Sequence, residues 1–368
     1  MILKSIILTN YRNYPSCTIQ GFKKINLFLG KNGSGKTNLL DSIYYAALGK
    51  SYFSSKDSNV IKFNASFFRL EARMVKGDDQ YKIEHAIIPS KKKESKINGK
   101  AISKLSELLG YFPAIAIAPK EVYTLLSTSQ ERRKACDRVI AQFDRQYINA
   151  LILYNGLLKR RNQLLKDATS ISNLNIDLIK VLDQQMDGPA ETIFKIRSEF
   201  AKSIRVEFLK SYKIISKKQE EADLTYMSDL EQGKLSTQLF KVIESDFHRK
   251  RTTIGIHKDD YVFRINEKQI NTFASQGQLK SFVIAFKLSL FRILSNNSSH
   301  LPFLILDDIF DKIDSSRTAA LLNLLNTGDY GQIFISDADT IRLPEIMDKN
   351  DLDFFKVVIE NGTVETQE

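Results

Sequence analysis

Apolar residues recur with two different periods along this chain, and each period belongs to a different part of it. The short run Lys24–Leu29 is apolar enough to predict a buried strand near the N-terminus. Residues 67–73 and 80–86 alternate in polarity on either side of a turn at Gly77, which predicts a β-hairpin. Asn98–Gly99 predicts a second hairpin, because this dipeptide tolerates the positive φ of a tight turn.

The middle of the chain has a helical period instead. From about Ser129 the apolar residues recur every three or four positions, as on one face of a long helix: Ala135, Val139, Phe143, Tyr147, Leu151, Tyr154 and Leu158. A second helical stretch follows it, from about Leu174 to Ile215. These patterns predict a helical arm that is tens of residues long.

Strand patterns return after Arg251. Thr252–Ile256 and Tyr261–Ile265 predict strands, and Gln278–Leu294 predicts a helix. The sequence therefore predicts an α/β fold. Residues 1–120 and 251–368 would build one mixed-sheet domain, and residues 121–250 would form a helical domain inserted into it.

Residues 30–37 carry recognisable chemistry. Two glycines separated by four residues and followed by Lys and a hydroxyl residue fit the phosphate-binding loop pattern. The glycines let the backbone bend around phosphate oxygens, Lys36 would bridge the β- and γ-phosphates, and Thr37 would hold Mg²⁺. The segment therefore predicts nucleoside triphosphate binding by Gly30, Lys31, Asn32, Gly33, Ser34, Gly35, Lys36 and Thr37.

Two later segments would complete an ATPase site. Pro302–Asp308 is an apolar strand ending in two carboxylates, which would place Asp307 against Mg²⁺ and Asp308 beside the attacking water. The alternative is a strand with a solvated acidic end, and the upstream phosphate loop favours the catalytic interpretation. Ser275–Gln278 begins a predicted helix with a hydroxyl cap and a glycine, so its N-terminus is suited to meet an anion. A simply capped helix is the alternative there.

The chain is basic, with a formal net charge of +11 at pH 7. This charge favours a polyanionic partner such as DNA. No zinc finger, helix-turn-helix or aromatic RNA-binding signature occurs, so we expect binding to depend on DNA structure rather than base sequence. Candidate DNA contacts, each with a solvated surface as its alternative, are Lys91, Lys92, Lys93, Arg132, Arg133, Arg160, Arg161, Arg249, Lys250 and Arg251.

Other features of the sequence argue against several classes of protein. The two cysteines, Cys17 and Cys136, are far apart and lack metal-ligand spacing with any histidine, which argues against a disulfide framework or a zinc site. The sequence has no run of eighteen apolar residues and no signal-like N-terminus. We therefore expect a cytoplasmic protein that has no membrane span.

The order of phosphate loop, helical insertion, Ser-Gln-Gly-Gln and acidic strand resembles the ATP-binding cassette superfamily. In that superfamily the signature of one subunit closes over the γ-phosphate held by the phosphate loop of another. The resemblance implies a homodimer around two ATP molecules, with Asp314 as the D-loop aspartate at the dimer interface. The residues that would act in trans are Ser275, Gln276, Gly277 and Gln278.

Within that superfamily the chain resembles the RecF family of bacterial recombination-mediator ATPases. The segments that carry this resemblance are Leu8–Tyr14, Gly30–Asn38 and Thr253–Asp260. The resemblance covers nearly the whole chain, and it adds Arg12 and Asn38 to the expected ATP contacts. It implies ATP-dependent binding to gapped DNA or to boundaries between single and double strands. It also implies recruitment of RecR and RecO, so that RecA can load in DNA repair and replication restart.

The chain departs from these families at some positions. Lys258 stands where the RecF family usually has Arg, and Lys lacks the bidentate geometry of Arg. Asp308 is shorter than the Glu usual in the superfamily, so we expect weak, DNA-dependent ATP hydrolysis suited to a switch.

Three alternatives stay open. One is another cassette or SMC-type ATPase switch that does not act on gapped DNA. A transporter ATPase subunit would have a shorter helical insertion and would lack the Asn10–Tyr14 opening. A small-molecule kinase shares the phosphate loop but has no use for a signature helix.

Overall fold

The structure is a computed structural model that describes residues 1–54, 56–89, 93–216, 221–270, 274–310, 315–326 and 329–367. The chain divides into two compact units. The first unit comprises Met1–Val122, Ile214–Ser216 and Leu290–Glu368, and the second comprises Tyr123–Lys213 and Lys217–Ser289. No helix among the described residues is both long enough and apolar enough to cross a membrane.

An antiparallel sheet forms one layer of the first unit. Its strands are β1 (Ile2–Tyr11), β2 (Tyr14–Gln20), β4 (Phe68–Lys76), β5 (Asp79–Ile87), β6 (Glu94–Ile97) and β7 (Lys100–Ala101). They lie in the order β2-β1-β4-β5-β6-β7. Both predicted hairpins are confirmed, since β4 and β5 flank Gly77 and the β6–β7 turn holds Asn98 and Gly99 at φ of 49° and 77°.

A mainly parallel sheet forms the other layer. Its strands are β3 (Ile25–Leu29), β8 (Ala114–Ile117), β12 (Phe303–Asp307), β13 (Ile333–Asp337), β14 (Phe354–Glu360) and β15 (Thr363–Gln367). Their order is β15-β14-β3-β13-β12-β8, in which β14 through β8 run parallel and β15 is antiparallel to β14. Every residue of β3, β12 and β13 is buried, as expected of a parallel sheet that is covered on both faces.

The helix that follows the phosphate loop, α1 (Lys36–Leu48), contacts strands of both sheets. Tyr45 of this helix meets Phe68 of β4 edge-to-face, with ring centroids 5.4 Å apart. The same apolar core includes Phe334 of β13. Burial against two sheets therefore fixes α1 and the loop before it.

The remaining helices fall mostly in the second unit. In chain order they are α2 (Leu105–Leu108), α3 (Pro119–Ser127), α4 (Ser129–Phe143), α5 (Arg145–Asp167), α6 (Ile176–Ile215), α7 (Leu235–Lys241), α8 (Ile243–Arg249), α9 (Gln276–Asn296), α10 (Ser315–Asn326) and α11 (Arg342–Lys349). The second unit also contains a small antiparallel sheet of β9 (Ala222–Met227), β10 (Asp260–Ile265) and β11 (Lys268–Gln269).

Two predictions about the second unit are wrong. The single long helix after Ser129 is instead two helices, because Asp144 ends α4 and its carboxylate accepts the N–H of Tyr147, 2.8 Å away, to cap α5. The predicted strand Thr252–Ile256 is irregular, because side chains replace its sheet partners. Asp246 Oδ1 accepts the N–H and the hydroxyl of Thr253 at 2.9 and 2.6 Å.

The compact units also differ from the sequence-based domain proposal, most at the second boundary between the domains. That proposal placed residues 251–289 in the α/β domain, whereas the structure groups the described residues of this range with the helical insertion. The reason is strand pairing, since β10 pairs along its whole length with β9. Phe282 of α9 also lies against Phe208 of α6, with ring centroids 4.5 Å apart.

Candidate nucleotide-binding site

Three neighbouring parallel strands end together at one edge of the first unit. Asp337 of β13 pairs with Leu29 of β3, and Ser336 pairs with Asp307 of β12. The phosphate loop after β3 and the acids after β12 and β13 therefore meet at the carboxyl ends of the strands. This edge is where open α/β sheets bind ligands.

The backbone of the phosphate loop adopts positive φ angles, which favour glycine. Gly30, Gly33 and Gly35 have φ of 151°, 83° and 118°. A Cβ atom on Gly30 would lie 2.2 Å from the carbonyl oxygen of Ile359, so this glycine is also required for space. The loop leads into α1, whose N-terminus has no side-chain cap and is suited to bind an anion.

Neighbouring segments hold the loop in this conformation. The Tyr14 hydroxyl donates to the carbonyl of Gly35 at 3.1 Å, and the N–H of Gly362 donates to the carbonyl of Ser34 at 2.8 Å. The sequence interpretation gave neither Tyr14 nor Gly362 a role at the site. Tyr14 could have been found from the RecF-like opening segment, whereas Gly362 has no sequence signal of its own.

Lys36 lies within the loop. Its Nζ donates to the carbonyl oxygens of Gly30 at 2.6 Å and Lys31 at 3.0 Å. Burial lowers the pKa of Lys36, and the acids Asp308, Asp307 and Asp337 oppose that shift. The hydroxyl of Ser34 is buried without a hydrogen-bond partner among the described residues. A buried ammonium group and an unused hydroxyl fit a loop that receives phosphate.

Thr37 and Asp307 are brought together from opposite ends of the sequence. The Thr37 hydroxyl donates to Asp307, lying 2.9 Å from Oδ1 and 3.0 Å from Oδ2. Desolvation raises the pKa of Asp307, while hydrogen bonds from Ser336 and Thr37 favour its ionised form. A hydroxyl and a carboxylate are oxygen ligands of the kind that Mg²⁺ prefers, so the pair fits the predicted metal position.

Ser336 organises both predicted acids. Its hydroxyl donates to Asp307 Oδ1 at 2.7 Å and accepts the N–H of Asp308 at 3.0 Å. Asp308 has a φ of 47°, an uncommon backbone conformation for a residue other than glycine. The sequence interpretation missed Ser336 and Asp337. Their signal was an apolar run ending in polar residues, the same pattern that identified Asp307 and Asp308.

Two further predicted ATP contacts have protein partners. Arg12 donates through Nε and Nη2 to Asp41 Oδ2 at 3.0 and 2.8 Å, and through Nη2 to Ser51 at 2.9 Å. Asn38 donates to Asn13 Oδ1 at 2.7 Å. Arg12 therefore lies in an ion pair beside the site, and Asn13 joins the β1–β2 turn to the start of α1.

The signature segment begins α9, and its first residues belong to the second unit. The N–H of Ser275 donates to Gln278 Oε1 at 2.6 Å, and the N–H of Gln278 donates to the Ser275 hydroxyl at 3.3 Å. This reciprocal pair is a capping box. Ser275 and Gln276 are exposed and Gly277 is half-buried. The D-loop residue Asp314 lies outside the described residues.

The basic candidates separate into buried and exposed groups. Arg161 is fully buried between Asp183 and Asp246, each 2.6 Å away, so its prediction as a DNA contact is corrected to a structural role. Lys91 and Lys92 lie outside the described residues. The exposed candidates are Arg160, Arg249 and Arg251.

The other basic candidates are engaged within their own units. Lys93 donates to the Gly49 carbonyl and lies 3.3 Å from Asp57. Arg132 pairs with Asp260 at 2.7 Å, and Arg133 donates to the carbonyl of Asp259. Lys250 donates to the carbonyl of Ala168 at 2.7 Å.

The similarity to known protein sequences extends over nearly the full length of this chain. Residues 2–350 match the family described as "RecF/RecN/SMC N terminal domain". A "DNA replication and repair protein RecF" from Flavobacterium johnsoniae is 38% identical over 347 residues, covering 94% of this chain and 97% of that protein. One with the same description from Cytophaga hutchinsonii is 37% identical over 369 residues, covering 99% and 97%.

Solved structures place the fold. Two described as the recombination mediator protein "RecF-ATP" and "RecF-ATPrS" in the RecFOR pathway superpose with TM-scores of 0.87 and 0.86. Their identities are 27% and 26%, over 99% of this chain and 96% and 97% of those chains. An Smc head bound to part of ScpA has a TM-score of 0.59 at 16% identity, with 100% and 98% covered, and shares the fold alone. The predicted α/β ATPase fold of the cassette type is confirmed, and the chain belongs to the RecF family of DNA replication and repair proteins.

Proposed function

We propose that this chain is an ATP-dependent DNA-binding switch of recombinational repair and replication restart. The observation that carries the proposal is the hydrogen bond of the Thr37 hydroxyl to the Asp307 carboxylate, beside the buried Lys36. These three groups are the nucleotide-binding parts of a phosphate-loop ATPase, and the chain's own fold brings them together.

In this proposal ATP binds with Mg²⁺ at the carboxyl edge of the parallel sheet. Lys36 exchanges its bonds to two loop carbonyls for bonds to β- and γ-phosphate oxygens, and the glycine-rich backbone supplies N–H donors. Thr37 and Asp307 would hold the metal, which would supply positive charge to neutralise the phosphates. Burial of Lys36 strengthens its interaction with phosphate, because water competes less.

Hydrolysis would be slow. Asp308 orients the attacking water, and its carboxylate reaches one methylene less far than a Glu would. The proposed role of hydrolysis is to reset the switch, so a low rate suits a complex that must persist on DNA.

ATP binding would also drive dimerisation. Ser275 and Gly277 of each copy would complete the ATP site of the other, and the exposure of Ser275 and Gln276 leaves this helix start accessible. The net charge of +11 and the exposed Arg160, Arg249 and Arg251 support a DNA partner. Family membership supports gapped or junction DNA as the substrate and RecR and RecO as partners.

Light scattering tests this function. Wild-type protein should dimerise with ATP and Mg²⁺ and retain gapped DNA, while Lys36→Arg and Ser275→Arg should stay monomeric. Lys36→Arg should lose ATP affinity, whereas Ser275→Arg should still bind ATP, because its defect lies in the partner's site. A wild-type protein that hydrolyses ATP as a monomer would overturn the dimer and favour a single-site ATPase.

A further inference from the structure

Asp337 is a buried acid at the candidate site that the proposed function leaves unused. Its Oδ1 accepts the N–H of Asp339 at 2.8 Å, which fixes the side chain in place. Its Oδ2 is buried and has no hydrogen-bond partner among the residues that the structure describes. Only 6% of the residue is exposed. An acceptor buried without a donor costs free energy, so the site gains when a ligand donates to it.

The position of Asp337 indicates which ligand this is. Asp337 ends β13, which lies between the strand before the phosphate loop and the strand that ends in Asp307. Lys36 and Asp308 are both within electrostatic range of its carboxylate. Desolvation is the main cause that raises the pKa of Asp337, and the Asp308 charge adds to it. A third carboxylate therefore lies at the same end of the sheet, within electrostatic range of the lysine that the proposed function places on the γ-phosphate.

A carboxylate oxygen and a phosphate oxygen repel each other, so direct contact between them is unfavourable. A water molecule resolves the conflict because it donates to the carboxylate. It has two O–H groups, and its lone pair points at phosphorus in a fixed direction only when both are engaged by acceptors. Asp308 provides one acceptor directly after β12, and Oδ2 of Asp337 is available as another at the end of the adjacent strand β13.

We infer that Asp337 is a second acceptor for the attacking water, so that Asp308 and Asp337 orient this water together. The inference rests on the proposed function, because it assigns a further residue to the same ATP site. It also explains how the short Asp308 side chain suffices for hydrolysis. Asp337 holds the water's second O–H while Asp308 acts on the first.

The test compares Asp337→Asn with Asp339→Asn. An Asn at 337 keeps an oxygen for the N–H of Asp339 but puts an NH₂ donor in place of Oδ2, so it no longer accepts from water. We expect single-turnover ATP hydrolysis to fall roughly 100-fold. Titration with a fluorescent ATP analogue should show equal or tighter binding, because a negative charge near the phosphates is gone. The ATP-bound dimer should dissociate more slowly by about the same factor as hydrolysis.

Asp339→Asn is the matched control, since this exposed residue lies two positions away and an Asn oxygen can still accept the N–H of Arg342 at the start of α11. It should behave as wild type. The double variant Asp308→Asn with Asp337→Asn should lose little more activity than Asp308→Asn alone, because the two residues orient one water.

Two results would overturn the inference while leaving the proposed function intact. In one, Asp337→Asn hydrolyses ATP at the wild-type rate. In the other it loses ATP binding while Asp339→Asn does not, which would make Asp337 a support for the loop. A wild-type protein that fails to bind ATP would instead overturn both the inference and the proposed function.

Discussion

His85 is a buried titratable group outside the nucleotide site. Its Nδ1 lies 2.9 Å from the Ser95 hydroxyl oxygen and its Nε2 lies 3.3 Å from the carbonyl oxygen of Ala46, so the ring joins β5 to β6 and to α1. Desolvation lowers the pKa of His85 from 6.5 to about 4, and the nearby Lys93 charge adds to the shift. The folded first unit therefore requires a neutral ring.

This shift predicts an acid sensitivity of stability. Below pH 6.5 His85 binds a proton in the unfolded chain but stays neutral in the folded protein. The contribution of His85 to the free energy of unfolding is therefore present above pH 6.5 and is lost as pH falls to about 4. The loss amounts to about 3 kcal/mol. Urea unfolding at pH 7 and pH 4.5 should show a smaller difference for His85→Gln than for wild type. An equal difference in both proteins would contradict the assignment. His257, whose pKa is also lowered to about 4, remains as an internal reference in the second unit.

At the scale of elements, side-chain caps set several boundaries. Asp144 stops α4 and starts α5 within an apolar period that continues without a break. The period records which face is buried, and it does not record where the backbone turns. Thr252–Ile256 likewise has a strand-like composition, and yet Thr253 bonds to the Asp246 side chain instead of to a neighbouring strand. Hairpins were predicted correctly because Gly77 and Asn98–Gly99 fix their own turn geometry locally.

The capping box of α9 gives the prediction at this scale. Ser275→Ala removes the hydroxyl that accepts the N–H of Gln278, and it should lower the free energy of unfolding of the second unit by about 1 kcal/mol. Ser275→Thr keeps a hydroxyl cap and Gln278→Glu keeps the reciprocal acceptor, so both should retain wild-type stability. Thermal unfolding of the three variants checks this. Loss of stability in Ser275→Thr would show that the box does not hold the helix start.

At the scale of the whole molecule, the nucleotide site combines residues that are close in sequence with residues that only the fold brings together. Residues 30–37 were identifiable because their chemistry is contiguous. Ser336, Asp337 and Gly362 reach the same place through strand register, which one sequence does not display. Arg161 is an intermediate case. It follows Leu157 and precedes Leu165 at intervals of four residues, so the helical period already placed it on the buried face of α5. The positive charge of Arg161 suggested a contact with DNA, whereas its position in the helical period indicated a buried side chain.

Variants of adjacent residues on α5 can therefore distinguish an effect on folding from an effect on DNA binding. Arg161→Ala leaves Asp183 and Asp246 buried without their cation and should lower the free energy of unfolding by about 3–5 kcal/mol. Arg160→Ala removes an exposed charge and should leave stability unchanged. If Arg160 contacts a phosphate, its loss should weaken binding to DNA of any sequence and reduce the slope of log K against log salt by about 1. Chemical unfolding and salt-dependent anisotropy distinguish the two effects. A salt slope unchanged by Arg160→Ala and by the comparable Arg249→Ala would mean that the DNA track lies elsewhere on the molecule.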